Sequence, residues 1–447
     1  EPAGAPGRPP PAAAGPYLLE LRRETVPVRR RGRVVSFKTS YSGLIHIGRP
    51  AQELRVVFDT GSGHVVLPAV ECESEACQAH RRYNMTASAS ASAINVDGSL
   101  VLPGDLCDQV TIGYGTGEVT GEFVKERVCL GGSPSLLQDA GTRAAAAPCI
   151  EEVHVVTAVE MSTQPFKSFG FDGILGLGLD GLSLSQNFSF FNWLSSSSQL
   201  GSSQFAAFLT DGEGGEESEM AFGGHNAVRT LEPLSWTPVA LPELGHWAVS
   251  ILAVRVNGVT LDICHDGTCR GVVDTGTSHL GIPAPHDQEV GAMLTQEVKD
   301  VLDCRLVDAP VLELEVPGRN LTLLPENYMR RMPLSGDVKI GSSTGVSLAQ
   351  SSGSPPQTQR HASAPAAAAA LQRERRLRSA AGSAARQYCR PRLMPVDLPA
   401  PLGPKVFILG EPVLHRYYTV FDWTSRQLGF GLAANRRNTQ ALRGAHG

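Results

Sequence analysis

Long apolar runs are missing from this chain. Nowhere in its 447 residues does one approach the ~20 residues that a membrane-spanning helix needs, so no stable membrane span is expected. A surplus of positive charge is missing too. The formal net charge is −5, no broad basic surface is implied, and nucleic acid is not expected as a partner. Long helical periodicities are few. Glycine, by contrast, is plentiful at 47 residues, and hydrophobic residues make up 42% of the chain, as expected for many short strands joined by turns. The segment 248–256 alternates in this way, and Asn257-Gly258 follows it as a hairpin turn. The length is sufficient for two lobes with separate cores.

One short motif occurs twice, as Phe58-Asp59-Thr60-Gly61-Ser62 and as Val273-Asp274-Thr275-Gly276-Thr277-Ser278. The aspartates are 215 positions apart, and each follows a short apolar run, Leu54-Arg55-Val56-Val57-Phe58 or Gly271-Val272-Val273. Each Asp is therefore expected at the end of a buried strand, with Thr-Gly making the turn. A second repeat supports a duplication: Ile174-Leu175-Gly176 lies 115 residues beyond the first Asp, and Ile408-Leu409-Gly410 lies 134 beyond the second. Two lobes would each donate one carboxylate to a shared site. Facing carboxylates do not both ionise easily, so at acidic pH one is charged and the other keeps its proton. The charged one can activate water and the protonated one can polarise a carbonyl, which amounts to peptide hydrolysis without a metal, a cofactor or a covalent intermediate.

From these residues the chain resembles the pepsin-like aspartic proteases, the family of pepsin, cathepsin D and renin, and the paired-carboxylate behaviour just described is general to that family. The resemblance extends from about Ser40 to Ala433. It includes Gly43-Leu44-Ile45-His46-Ile47-Gly48-Arg49-Pro50-Ala51-Gln52 before the first Asp, Ile112-Gly113-Tyr114-Gly115-Thr116-Gly117 at the flap, and Tyr417-Tyr418-Thr419-Val420-Phe421-Asp422 near the end. It implies an all-β, bilobal fold with pseudo-two-fold symmetry and an endopeptidase acting on polypeptides at acidic pH. A monomer is implied, since both halves are on one chain. Asp59 and Asp274 would hold the lytic water, and Gly61 and Gly276 would let the backbone approach carboxylates and substrate. Ser62 and Thr277 would orient the outer carboxylate oxygens, while Tyr114 and Thr116 would sit on the flap. One departure stands out. Seven residues past the first Asp, where the family usually carries a Trp that bonds the flap Tyr, this chain has Val66. His64, beside the site, is expected to be a surface histidine. A catalytically silent binding protein of the same fold is the alternative reading, although neither triplet is damaged.

The resemblance also implies disulfides Cys72–Cys77, Cys264–Cys269 and Cys304–Cys389. Cys107, Cys129 and Cys149 are left open, and a total of nine cysteines leaves at least one unpaired. A zinc reading of Cys72, Cys77 and His80 lacks a fourth ligand, so no metal is expected. The cysteines imply an oxidising setting: the secretory pathway, with the product secreted or held in an acidic vacuole or lysosome. The first residue is Glu1, so any signal peptide has been cut away or left out. Asn84, Asn187 and Asn320 open glycosylation sequons.

The expected organisation is an N-terminal segment 1–39, lobes at 40–213 and 214–433 that together form one peptidase domain, and a tail at 434–447. Residues 1–16 are rich in Pro, Ala and Gly and are expected to be disordered. The basic stretch from Leu19 to Arg31 reads either as the remnant of a prosegment or as an N-terminal strand with a solvated charge run. The second lobe carries an insertion, 342–386, rich in Ser, Ala, Gln and Arg. It is read as a surface loop rather than a membrane-touching basic helix, because it has too few large apolar residues to offset its ordering entropy. Limited trypsin digestion at Arg373, Arg375, Arg376 and Arg378 should therefore leave two chains joined by Cys304–Cys389, with acid peptidase activity retained. Resistance to trypsin there, or activity lost on nicking, would show the segment to be part of the folded core.

Overall fold

The computed structural model of the chain describes residues 15–30, 33–102, 104–115, 117–131, 147–335 and 386–444. The expectations for the insertion 342–386 lie outside these residues except at Arg386, as does the disorder expected for residues 1–14. The fold is mainly β with few short helices and is bilobal, as the motifs imply. Among the described residues no helix is long and apolar enough to cross a membrane.

Fourteen strands make one continuous sheet. The N-terminal lobe contributes the strand Gln52–Asp59, which carries the first Asp. This strand pairs antiparallel with Arg33–Ile47 and parallel with Gly173–Gly176, placing Phe58 opposite Leu175 and Asp59 opposite Gly176. The C-terminal lobe repeats the arrangement in a separate five-stranded sheet. There Arg270–Val273 pairs parallel with Val406–Leu409, with Val273 opposite Leu409. Both repeats seen in the sequence are thus adjacent strands. Being buried on both faces, they read as continuous apolar runs rather than as alternation. The Asn257-Gly258 turn also forms. It joins Ala253–Val256 to Val259–Thr260, and both of its residues have positive φ, 50° and 77°.

Strands from both lobes meet in the middle of the large sheet. Phe205, Phe421, Trp247 and Trp423 pack there, with the Phe205 and Phe421 rings stacked 4.6 Å apart and Trp247 set edge-on to both. Trp247 is fully buried, and its indole N–H donates to the Leu177 carbonyl at 2.8 Å. This bond ties the second lobe's entry to the strand end behind Asp59, and it also satisfies a polar atom that would be costly to leave bare in the core.

The segment 1–39, set apart from the lobes in the sequence, is corrected from Tyr17 onward. Tyr17–Arg30 is a strand of the large sheet, bridging Ser218–Phe222 on one side and Arg33–Ile47 on the other. The physical reason is alternation: Leu19 and Leu21 are both 4% exposed and fill the space left by Gly43, where a Cβ would lie 2.3 Å from a Leu19 methyl. Of the two readings of the basic stretch, the strand is the one that forms.

The basic residues of that strand are matched across the molecule. Arg23 reaches Glu411, which is 1% exposed and lies in the helix Glu411–Arg416 directly after the strand backing Asp274. Glu411 also receives Arg392 at 2.8 Å, the Tyr41 hydroxyl at 3.1 Å and His415 at 3.2 Å. Burial alone would raise this carboxyl, but Arg392, His415, Arg23 and the Tyr41 hydrogen bond outweigh it and hold it near 2, against an ordinary 4.5. A depressed carboxylate adds stability that is present above its unfolded value and lost as pH falls through its folded value. We predict that Glu411→Gln lowers unfolding free energy by about 3 kcal/mol at pH 6, because two half-buried guanidinium groups lose their buried anion. The deficit should shrink between pH 4.5 and about 2, where the wild type is itself protonated. Denaturant titrations across that range check this, and a deficit independent of pH would contradict it.

Candidate active site

The two Asp-Thr-Gly turns face one another at the junction of the lobes. Asp59 accepts the Gly61 N–H on Oδ1 at 3.0 Å and the Ser62 hydroxyl on Oδ2 at 2.5 Å. Asp274 accepts the Gly276 N–H on Oδ1 at 2.8 Å and the Thr277 hydroxyl on Oδ2 at 2.5 Å. Each carboxylate is therefore aimed by its own turn, one oxygen held by a backbone amide and the other by a hydroxyl. The turns approach so closely that only glycine fits. A Cβ at Gly276 would lie 2.4 Å from Asp59 Oδ1, and one at Gly61 would lie 3.0 Å from the Asp274 carboxyl.

The threonines between these residues lock the turns together. The Thr60 N–H donates to Thr275 Oγ1 at 3.0 Å, and the Thr275 N–H donates to Thr60 Oγ1 at 3.0 Å. Each hydroxyl then donates to a carbonyl of the opposite strand, Thr60 to Val273 at 2.8 Å and Thr275 to Phe58 at 2.6 Å. Both threonines are buried. Sequence reasoning gave them only a place in the turn and not this link between the lobes, although the repeated Thr was in plain view in both motifs.

Asp274 is 4% exposed, and its pKa is raised, first by burial and then by the charge of Asp59, to which it is hydrogen-bonded. Asp274 is thus held toward its neutral form beside a second carboxylate. A family model, "Eukaryotic aspartyl protease", matches residues 40–340. The chain belongs to that family. It is 27% identical to gastricsin from Cavia porcellus over 403 residues, 88% of this chain and 80% of the relative. Cathepsin E from Rattus norvegicus is 25% identical over the same shares, and pepsin A from Bos taurus is 28% identical over 70% of this chain and 77% of the relative.

The flap region expected of a family member is the hairpin of Gln109–Tyr114 and Gly117–Leu130, with Tyr114 opposite Gly117. Thr116 lies outside the described residues. The Tyr114 ring sits edge-on to Phe166 at 6.0 Å, and its pKa is raised by burial and then by the Asp59 charge, which places its hydroxyl within the field of the dyad. That hydroxyl is buried and has no hydrogen-bond partner among the described residues. Val66, 2% exposed, packs into the same apolar cluster. With no indole there, a small recess remains beside it, lined by Val119, Met161, Phe166, Phe171 and Ile174.

His64 corrects the sequence reading. It is 7% exposed, not on the surface, because the strand Val65–Pro68 begins immediately after it and turns the ring onto Phe188. Its Nε2 accepts the Leu184 N–H at 3.0 Å, so the ring is neutral, and burial pushes its pKa down to about 4. It serves to hold the loop after Gly178 and is not the partner of Tyr114.

The three disulfides implied by the resemblance are present, and a fourth, Cys129–Cys149, joins two of the cysteines left open. Those two lie on adjacent antiparallel strands 20 residues apart in sequence, a pairing visible only once the register is known. Cys107 is free and half-buried. Cys72 and Cys77 are bonded to each other, and His80 Nε2 lies 3.0 Å from the Phe166 carbonyl, so the thiols of the zinc reading are already consumed. Asn187 and Asn320 are exposed; Asn84 is half-buried, and its Oδ1 accepts from the Thr86 N–H and hydroxyl.

Because the Tyr114 hydroxyl has no partner, we predict that Tyr114→Phe reduces peptidase kcat/KM by less than about threefold, since no hydrogen bond is broken. Val66→Trp has two expected outcomes: a restored partner that makes Tyr114→Phe costly in that background, or an overpacked pocket and a destabilised lobe, since an indole is larger than the recess. Steady-state kinetics on the four variants of this cycle checks the coupling. A large loss from Tyr114→Phe alone would reveal a partner formed with substrate.

Proposed function

We propose that the chain is an aspartic endopeptidase that hydrolyses polypeptides at acidic pH through a water held between Asp59 and Asp274. The observation carrying this reading is the matched cradle of the two carboxylates, each fixed by an amide and a hydroxyl, with burial and the neighbouring carboxylate raising the pKa of Asp274. Asp274, the more buried, holds the shared proton and donates it to the oxygen of the scissile carbonyl. Asp59, charged, takes a proton from the water as it attacks. Gly61 and Gly276 leave room for the reacting carbonyl, Ser62 and Thr277 keep the outer oxygens engaged, and the flap with Tyr114 and Thr116 excludes bulk water. As pH rises and the shared proton is lost, both carboxylates become charged, no donor remains, and activity falls. One chain holds both halves of the dyad, so a monomer is sufficient.

Four disulfides support passage through an oxidising compartment, and a secreted or acidic-vacuolar destination suits the proton the dyad needs. The exposed Asn187 and Asn320, and Asn84, are proposed as glycosylation sites of that route.

Asp59→Asn and Asp274→Asn should each lower turnover by roughly 10²–10⁴-fold or more, and the double variant should be little worse than either, because the carboxylates act as a unit. Cleavage of acid-denatured haemoglobin, with and without pepstatin, checks this. A wild-type chain that binds pepstatin but does not cleave would instead be a silent binding protein of this fold. A single variant with near wild-type activity would rule out the shared site.

A further inference from the structure

Ser62, Gly63 and His64 are clamped one after another by the strand end Gly173–Gly176 and the loop that follows it. The Gly178 N–H donates to the Ser62 carbonyl at 2.8 Å, the Ser183 hydroxyl to the Gly63 carbonyl at 2.8 Å, and the Gly176 N–H to the His64 carbonyl at 2.9 Å. A fourth contact uses a side chain: the Leu184 N–H donates to His64 Nε2 at 3.0 Å. The packing leaves no slack. A Cβ at Gly63 would lie 2.6 Å from the Leu182 carbonyl, and one at Gly176 would lie 2.5 Å from the His64 nitrogen. Ser62, at the head of this clamp, is the residue whose hydroxyl orients Asp59.

His64 differs from the other anchors in one respect. Backbone carbonyls keep their hydrogen-bonding character at every pH, whereas an imidazole nitrogen accepts only while it is unprotonated. The groups around the ring offer a charge little support. The parallel pairing of Val65 with Val155 sets His154 beside His64 in the sheet, and both rings meet Phe188 edge-on. Beyond His154 stand Lys125, opposite it in the sheet, and Glu152, which pairs with Lys125 at 3.3 Å. In the clamping loop, Asp180 lies in the field of Arg426. Asp59 is engaged by Gly61 and Ser62. Among the described residues no carboxylate is bonded to the His64 ring, and burial holds its pKa near 4. A proton arriving on Nε2 would face the Leu184 N–H, donor against donor, in a buried site without an anion.

We propose that His64 is a positioning residue for Asp59: its unprotonated ring pins Leu184 and so holds the loop on the backbone of Ser62 and Gly63, and protonation of the ring releases that loop and lowers turnover. This rests on the endopeptidase reading above. The device sets an acid limit on activity from outside the dyad. The limit is reached before the scaffold fails, because the structural carboxylate Glu411 keeps its charge to about 2.

The test measures kcat and KM on a fluorogenic peptide without titrating side chains, from pH 6 to pH 2.5. It compares the full chain with His64→Gln, which keeps an acceptor that does not protonate, and His64→Leu, which has none. The wild type should lose about tenfold in kcat per pH unit below 4, the slope of a single protonation, with KM nearly constant. His64→Gln should lose less than about threefold between pH 4 and pH 3. His64→Leu should already be about fivefold lower in kcat at pH 5, the scale of one hydrogen bond, with no inflection near 4. Hydrogen exchange at the Leu184 amide, corrected for its intrinsic rate, should lose protection in the wild type over the same range, a readout that needs neither variant. An acid limb that His64→Gln leaves in place, or a Leu184 amide still protected at pH 3, overturns the role of His64 and leaves the endopeptidase reading standing. A wild type that cleaves neither the peptide nor denatured haemoglobin overturns both.

Discussion

The reciprocal hydrogen bonds between Thr60 and Thr275 are the constraint on which the rest of the site depends. Each threonine receives an amide from the other lobe and gives a proton to a carbonyl beyond it. The four bonds lie where water cannot compete, so breaking one would leave buried polar atoms bare. Through them the separation of the two strand ends is set by backbone geometry and not by the carboxylates, whose mutual repulsion would otherwise drive the lobes apart. The two carboxylates can stay this close because their repulsion is opposed by bonds that carry no net charge. The glycines at 61 and 276 follow from the same constraint, since the turns are held at a distance that admits no Cβ.

The parts of this molecule that were legible in its sequence were those in which local chemistry repeats. Two Asp-Thr-Gly turns after apolar strands, two Ile-Leu-Gly strand ends and a Gly-flanked tyrosine were enough to place the dyad, its supporting hydroxyls and the flap. The illegible parts were those decided by register or by packing at long range. Cys129 and Cys149 meet because two long strands pair, and nothing near either residue announces it. His64 read as a surface histidine because nothing local to it announces burial; only the fold brings Phe188 and the Leu184 amide to it. The N-terminal basic stretch read as either a prosegment remnant or a strand with a solvated charge run; its charges masked the alternation of Leu19 and Leu21, and the counter-charge of Arg23, Glu411, lies 388 residues away.

Charge is handled differently at the two levels of the structure. Away from the dyad, the buried carboxylate of Glu411 is surrounded by cations and hydroxyls that keep it ionised well into the acid range. At the dyad, Asp274 has no cation, only a hydroxyl, an amide and a second carboxylate, and it is driven toward the neutral form. The same side-chain group is therefore tuned in opposite directions within one lobe by the identity of its neighbours. The structural carboxylate can remain charged at a pH where Asp274 is still neutral.

The position of the strand Tyr17–Arg30 limits how far any N-terminal trimming of the chain could extend. A processing cut upstream of Tyr17 leaves both flanking pairings whole. A cut inside the strand would remove the seam between Ser218–Phe222 and Arg33–Ile47, expose two unpaired edges and take Arg23 from its anion. Trimming from this end is thus bounded by the architecture, and a prosegment attached here would have to be released without disturbing the strand that follows it.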